Sequence, residues 1–434
     1  MSLMSCSAPL IADRLLPQRD LLLDCESMAE FFSHELGSRG PLAIERCEHI
    51  RTTYRAGESL RVAYKVFARE GTCVVTGRAF ADVESAKSFE AAQQKAVNCG
   101  PFRPVLHDPK TECIFWTFPN DRRIANLRLL IEIPQELAQL FDARWTRSNI
   151  VAYAPENCAT AQCLTAADDV LAYAKVYASD HNESCFKTYL ALKSSAKTER
   201  AQIDFPEVIY HSPEHHILFL QSLRGRRLAD VQGGELAEAF FRLGHALAWL
   251  HALPAPANLP EFPRFADSYL QLAASSIGLV RPELAQQASE LCDALRTQKQ
   301  QWSEQRVCLH GDVHPKNGIL QETGSVALID LDQASLGPPA ADLGSLLAAL
   351  RYERHIGLMS DAEERMLADA FLGGYQQIGK LPERESLRWH MAAALFAERA
   401  FRAVSRIRLA GLQRLPELLN DAQRLLGEPL EVGD

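Results

Sequence analysis

Within the 434 residues of this chain, the run from Val307 to Gly344 leaves the fewest choices open: VCLHGDVHPKNGILQETGSVALIDLDQASLGPPAADLG. Asp312 stands two residues after His310, Asn317 follows five residues after Asp312, and Asp330 closes the apolar run Val326-Ala327-Leu328-Ile329. Apolar residues on both sides read as short strands, so 310–317 is a loop between them. A carboxylate and an amide at this spacing can serve different partners. Asp312 can face a reacting hydroxyl while Asn317 turns toward a metal ion. Asp330, at the end of the next strand, would meet Asn317 across the hairpin and offer a second oxygen to a hard cation.

A D-x-x-x-x-N loop followed by a metal-binding Asp is the order that phosphoryl-transfer enzymes of the kinase type use. His310-Gly311-Asp312-Val313-His314-Pro315-Lys316-Asn317 resembles the HGDxHxxN signature of the aminoglycoside phosphotransferase and choline kinase group. Ile329-Asp330-Leu331-Asp332 is similar to its second, metal-binding motif, and Gly337-Pro338 with Asp342-Leu343-Gly344 resembles its GPxxxDLG ending. The resemblance implies an α+β, protein-kinase-like bilobal fold, with a β-rich nucleotide lobe and a helical lobe. It implies ATP or another nucleoside triphosphate, Mg²⁺, and a small-molecule hydroxyl acceptor such as a sugar, an amino alcohol or a related metabolite. Asp312 would be the catalytic base, and Asn317 and Asp330 the metal ligands. Asp332 either shares the metal or caps a turn. Asp342 precedes an apolar run and reads as a helix N-cap, and His310 and His314 read as residues that orient the loop by hydrogen bonds.

A formal net charge of -9 and a pI near 5.9 argue against a nucleic-acid partner. The 11 cysteines are odd in number and form no CxxC pair, a pattern of reduced thiols that points to the cytoplasm. No apolar run reaches the roughly 18 residues of a spanning helix, so no membrane partner is expected.

In chain order, 24–36 reads as a helix, 44–80 as a three-stranded meander, 83–96 as a helix and 112–118 as a strand. Residues 150–177, 183–193 and 217–220 repeat that order. Residue pairs accompany the repeat: Tyr54 with Tyr153, Arg78 with Lys175, Phe80 with Tyr177, Phe115 with Phe219, and Arg122-Arg123 with Arg226-Arg227. The favoured reading is two copies of one β-rich lobe; the alternative is that all β-α-β segments look alike. The expected domains are therefore an accessory lobe over 1–145, a degenerate copy of the nucleotide lobe; the nucleotide lobe itself over 146–230; and a helical lobe over 231–434.

Ala174-Lys175-Val176-Tyr177 resembles the strand-borne lysine of kinases, which contacts the α- and β-phosphates. The turn before it, Tyr153 to Cys158, lies where a phosphate-covering loop belongs and contains no glycine. Glu183 is the candidate partner of Lys175, and Gln221-Ser222-Leu223 is the expected hinge against the adenine. In the first copy Arg78 takes the place of Lys175 and no catalytic loop follows. Beyond the motif, 361–378, 384–409 and 415–426 read as amphipathic helices, and the stretch from Pro282 to Trp302 as another.

The region from Ser360 to Asp434 holds twelve acidic and ten basic residues, without the acidic excess that a polycationic acceptor requires. Arg399, Arg402 and Arg406, three and four apart on one helix face, are either solvated or meet an anionic or sugar-phosphate-like acceptor. The reading from another class is a pseudokinase, a nucleotide-binding scaffold without turnover. The intact Asp312, Asn317 and Asp330 weigh against it, and the glycine-free turn weighs for it.

Overall fold

β-Branched and aromatic residues between tight turns build two antiparallel meanders in the computed structural model, which describes residues 10–81, 85–299 and 305–427. Strands β1 (Ile44–Arg55), β2 (Ser59–Ala68), β3 (Gly71–Phe80), β4 (Val105–Asp108) and β5 (Cys113–Thr117) form a sheet of order β1-β2-β3-β5-β4. Strands β6 (Arg147–Ala154), β7 (Cys158–Leu164), β8 (Val170–Tyr177), β9 (Val208–Ser212) and β10 (Ile217–Gln221) form a second sheet of order β6-β7-β8-β10-β9. In both, a helix separates the third strand from the fourth: Ser85–Gln94 in one and His181–Thr198 in the other. The first of these was expected from residue 83, and positions 83 and 84 lie outside the described residues.

The likeness extends to what covers each sheet. Helix Cys25–Glu35, whose N-cap Asp24 accepts from the amides of Glu26 and Ser27, sets Phe32 against Phe115 of β5 with 5.6 Å between ring centroids. Helix Gln135–Phe141 sets Phe141 against Phe219 of β10 at 4.3 Å. Leu127, Leu130, Leu137 and Trp145, from the segment before β6, bury against Ala159, Ala174, Val176 and Phe219. Each sheet thus buries one face under apolar residues that precede it in the chain.

Both sheets also hold their first turn in the same way. Asp13 Oδ2 accepts from the Tyr54 hydroxyl at 2.6 Å and from the Gly57 amide at 2.9 Å. Asp121 Oδ2 accepts from the Tyr153 hydroxyl at 2.6 Å and from the Glu156 amide at 2.9 Å. The other oxygen of each aspartate caps the amides two and three residues onward, Leu15 and Leu16 in one case and Arg123 and Ile124 in the other.

The chain divides into two units. The first holds residues up to 182 together with 209–220 and 405–407, and the second holds 183–208, 221–404 and the residues from 408 onward. The second unit is helical around two short β elements. Strand β11 (Arg226–Arg227) pairs with β13 (Gly318–Leu320), β13 pairs with β14 (Val326–Leu328), and β12 (Val307–Leu309) pairs with β15 (Ser335–Gly337). Among its helices, Leu236–Ala252 and Asp361–Gln376 cross at glycines. A Cβ on Gly244 would lie 1.9 Å from the Phe371 carbonyl oxygen, and one on Gly374 would lie 1.8 Å from that of Phe241. Among the described residues no helix is long and apolar enough to cross a membrane.

The α+β class and the order of a β meander followed by a helical part with the motif hairpin are as read from the sequence. Two helices differ from expectation. The helix expected over 384–409 is instead Arg384–Ala394, a π turn over Leu395–Ala400 and a short Phe401–Ser405 segment, and Ile407 takes a left-handed φ of 49° before Leu409–Gln413. Residue periodicity cannot register one extra residue in a turn. The helix expected from Pro282 to Trp302 is a 3₁₀ turn, Pro282–Leu284, and a helix Ala285–Gln298, while 300–304 lie outside the described residues.

The glycine crossing gives a paired test. Gly244→Ala should destabilise the protein by about 1–3 kcal/mol through overpacking. Gly373→Ala, one residue before Gly374 but with nothing within 4 Å of its added Cβ, should be neutral or stabilising by up to about 1 kcal/mol. Urea unfolding of both variants reads the difference.

Candidate active site

The loop 310–317 leaves β12 and closes in a 3₁₀ turn, Pro315–Asn317. Its first residues are fixed by a buried carboxylate. Asp342 accepts from the His310 amide at 2.7 Å and from the Gly311 amide at 2.9 Å, and His251 Nε2 lies 3.2 Å away. Asp342 is therefore not the N-cap read from the sequence. Pro338 holds that position, and Asp342 sits in the first turn of helix Pro339–His355 with its carboxylate turned onto the loop. Gly311 has a φ of 75°, and a Cβ there would lie 2.0 Å from the Gln333 carbonyl oxygen, so the loop admits no side chain at this point.

Two histidines carry the loop onward. His310 Nδ1 accepts from the Asp312 amide at 3.3 Å, which puts its proton on Nε2, 3.0 Å from the Ile329 carbonyl oxygen. His314 Nδ1 accepts from the Lys316 amide at 3.2 Å, which leaves Nε2 to donate toward Asp312 Oδ2 at 3.5 Å.

Asn317 ties the loop to the hairpin. Its side-chain Nδ2 donates to the Asp312 carbonyl at 3.0 Å, and its own carbonyl accepts from the Ile329 amide at 3.0 Å. With Nδ2 engaged, Oδ1 points to the opposite side of the amide. Asp330 follows Ile329 with a left-handed φ of 62°, a conformation that asparagine and aspartate reach more readily than other residues. An amide oxygen and a carboxylate are the donor types that a hard divalent cation takes, and Asn317 and Asp330 lie on adjoining turns of this hairpin. Asp332 lies in the next turn, Leu331–Gln333, with Cys185 Sγ 3.6 Å from its Oδ1.

Asp312 sits in a positive field. Arg264 NH2 is 3.7 Å from Asp312 Oδ1, and NH1 of the same guanidinium donates to Glu398 Oε1 at 2.9 Å. Burial alone would raise the Asp312 pKa. The His314 hydrogen bond and the charges of Arg264 and Arg402 outweigh it and hold the carboxyl far below its usual range. Glu398 is buried. Burial pushes its pKa up, and Arg264, Arg399, Arg402 and a 2.5 Å hydrogen bond from Ser345 bring it below the ordinary value. Neither Arg264 nor Ser345 belongs to a motif, and only the fold brings them to Asp312 and Glu398.

The three arginines read as one helix face separate. Arg399 donates to the Ser345 carbonyl at 3.0 Å and lies 3.6 Å from Glu398. Arg402 remains in the field of Asp312 and Glu398. Arg406 belongs to the first unit, where it donates to the Thr53 hydroxyl at 2.7 Å and to the Thr52 carbonyl. The π turn between Arg384–Ala394 and Phe401–Ser405, and the break at Ile407, undo the regular spacing.

Of the nucleotide-side candidates, Lys175 is buried on β8, paired across the strands with Thr160, and its Nζ lies 5.6 Å from the Tyr177 ring centroid. Glu183 forms an ion pair with Lys187, one turn on, at 3.1 Å. The Gln221 amide donates to the Glu207 carbonyl at 2.8 Å, and its side-chain oxygen accepts from the Glu207 amide at 3.2 Å. That amide hydrogen is therefore committed before the hinge reaches Leu223.

Arg264 also allows a test of the electrostatics. Arg264→Met should cost about 3–5 kcal/mol, because it leaves the buried Glu398 short of a partner. The double variant Arg264→Met, Glu398→Met should recover most of that loss, measured by urea unfolding. Asp312 should also titrate at higher pH in the single variant. A depressed folded pKa contributes stability that is present above the unfolded value of about 3.9 and lost as pH falls through the folded one. The variant should therefore lose this contribution at higher pH than the parent.

Comparison with known proteins gives a family model that matches part of the chain. Residues 196–390 match the model described as "Phosphotransferase enzyme family", the group that the motif residues resemble. The matched segment contains His310, Asp312, Asn317, Asp330 and Asp342 and stops short of Lys175 and Glu183. No curated protein matches the chain. Among solved structures the chain is similar to a streptomycin–ATP–APH(2″)-IIa ternary complex, with 16% identity and a TM-score of 0.48, covering 68% of this chain and 97% of that one. It is similar to the aminoglycoside phosphotransferase APH(3″)-Id from Streptomyces rimosus at 22% identity and a TM-score of 0.42, covering 60% and 97%. It is also similar to the choline kinase LicA from Streptococcus pneumoniae at 14% identity and a TM-score of 0.46, covering 67% and 98%.

Proposed function

From the match of residues 196–390 to the phosphotransferase enzyme family model, we propose that this chain is a small-molecule kinase that moves a phosphoryl group from ATP to an acceptor hydroxyl, with Asp312 as the residue that receives the hydroxyl proton. The observation that carries the proposal is the position of Asn317. Its side chain meets the backbone of Asp312 and its own backbone meets Ile329, so one residue couples the loop of the base to the turn of Asp330.

Asp312 is ionised at neutral pH and its charge is held by His314 and Arg264. A carboxylate this weakly basic does not deprotonate a free hydroxyl. It accepts a hydrogen bond, orients the oxygen and takes the proton only as the new bond to phosphorus forms. Asn317 Oδ1 and Asp330 would hold Mg²⁺, which when bound neutralises phosphate charge. Lys175 is the candidate for the α- and β-phosphates, with Gln221 to Leu223 along the base of the nucleotide and Glu183 a weaker candidate. The cysteine pattern supports the cytoplasm as the compartment.

The acceptor is proposed to be neutral or anionic. Arg264 and Arg402 both act on Asp312, and Arg399 stands beside them, so an ammonium group near the base would meet positive charge. A sugar, a sugar phosphate or a hydroxy acid fits that field. Of the three candidate arginines, Arg402 is the one proposed to contact the acceptor.

Asp312→Asn should lower turnover by about 10²–10⁴-fold while Mg·ATP still binds. Asn317→Ala and Asp330→Ala should weaken the Mg-dependent part of nucleotide binding. A screen of phosphoryl transfer over hydroxylated metabolites, including anionic sugars, choline and an aminoglycoside, identifies the acceptor class. Mg·ATP binding without turnover of any acceptor by the parent, and no difference on Asp312→Asn, would instead favour a nucleotide-binding scaffold.

A further inference from the structure

The first sheet contains an arrangement that its own residues do not balance. Arg61 on β2 and Arg78 on β3 are direct cross-strand partners, and like charges so placed repel. Arg122, after β5, joins them. Their shared counter-ion comes from the second sheet's first turn. Glu156 Oε2 lies 3.1 Å from Arg61, 3.1 Å from Arg78 and 3.0 Å from Arg122.

Glu156 occupies the place in β6–β7 that Gly57 occupies in β1–β2. Both have left-handed backbone, with φ of 62° and 72°, and both donate their amide to the aspartate that also holds the preceding tyrosine. Glycine accepts this conformation freely. For glutamate it costs of order 1 kcal/mol, and it persists only where the surroundings fix it. Here a carboxylate, three guanidinium groups and Asp121 fix it. Arg78 itself lies two residues before the end of its strand, where Lys175 lies in β8, and sits over Phe80 as Lys175 sits near Tyr177. The position that carries a phosphate-contact candidate in the second sheet carries, in the first, a cation already neutralised from within the chain.

We propose that the first sheet is a built-in clamp for the turn Ala154–Asn157, with Glu156 as a positioning residue and Arg61, Arg78 and Arg122 as the groups that hold it. The proposal rests on reading this turn as the one that covers the nucleotide phosphates. A phosphate-covering turn normally owes its close approach to glycine, and a chain without glycine there must aim the backbone by other means. Glu156 anchors its side chain on the three guanidinium groups, and Asp121 fixes the amide on the same residue. The clamp gives the accessory sheet a task in phosphoryl transfer without a nucleotide of its own.

The test uses the full chain with Arg78→Met, Glu156→Gln, their double variant, and Arg122→Met, the mildest change because Arg122 is the most exposed of the three. Two readouts separate the clamp from the function it serves: hydrogen exchange of the turn amides 154, 156 and 157 without nucleotide, and the Mg·ATP dissociation constant by calorimetry. Expected are faster exchange in every variant, a weakening of Mg·ATP by about 5-fold or more in the single variants, and a double variant no worse than the weaker single one. Thermal midpoints confirm that each variant is folded, and Arg122→Met carries the test if the buried changes do not fold. Unchanged exchange and an affinity within twofold of the parent overturn the clamp. So does tighter Mg·ATP binding by Glu156→Gln combined with weaker binding by Arg78→Met, since that pattern means Arg78 is itself a nucleotide contact. If exchange quickens as expected but neither these variants nor Lys175→Met changes Mg·ATP affinity, the turn is clamped and the phosphate-covering role is what fails.

Discussion

The arrangement of the second unit depends on the Asp342 carboxylate and the two backbone amides it accepts. A helix and the loop 310–317 are joined by one buried anion. The amides of His310 and Gly311 have no strand partner where β12 ends, and buried donors left without an acceptor would each cost about 1–3 kcal/mol. Satisfying them with a charged acceptor from helix Pro339–His355 turns that liability into a fixed start for the loop. Everything downstream is then placed by short-range bonds: His310 to Ile329, Asn317 to Asp312, Asn317 to Ile329.

Behind Asp312 the second unit places charge rather than apolar packing. Arg264 spans Asp312 and Glu398, and Ser345 and Arg399 complete the environment of Glu398. Buried ion pairs of this kind contribute little net stability, because desolvation offsets most of the attraction. Their effect is on Asp312. They hold its carboxyl below the ordinary range and make its surroundings positive. The π turn Leu395–Ala400 is the local distortion that carries Glu398 and Arg399, in keeping with the tendency of such turns to occur at functional sites.

The two sheets illustrate how the same local design can be put to different uses. Strand order, covering helix, aromatic contact and the aspartate that holds the first turn all recur. What differs is a few side chains: Arg78 against Lys175, and Gly57 against Glu156. Those differences set the contacts between the sheets, because the one Glu156 carboxylate meets three guanidinium groups and glycine has no side chain to lend.

The sequence by itself determined the likeness to the phosphotransferase family, the placing of Asp312 and Asn317 on one loop with Asp330 on the next turn, and the α+β order of a meander followed by helices. These depend on spacing within a loop or alternation within a strand, and such short-range patterns survive in one dimension. The repeat was legible in paired residues such as Phe115 with Phe219, whose aromatic contacts the fold then supplied. Tertiary structure alone decided that Asp342 reaches the loop instead of capping its helix, that Arg264 stands beside Asp312, and that Arg399, Arg402 and Arg406 part company. It also decided that Glu156 closes the arginine cluster of the other sheet. Each of these is a meeting of charges between residues far apart in the chain, and neither periodicity nor motif records which opposite charge a buried ion will find.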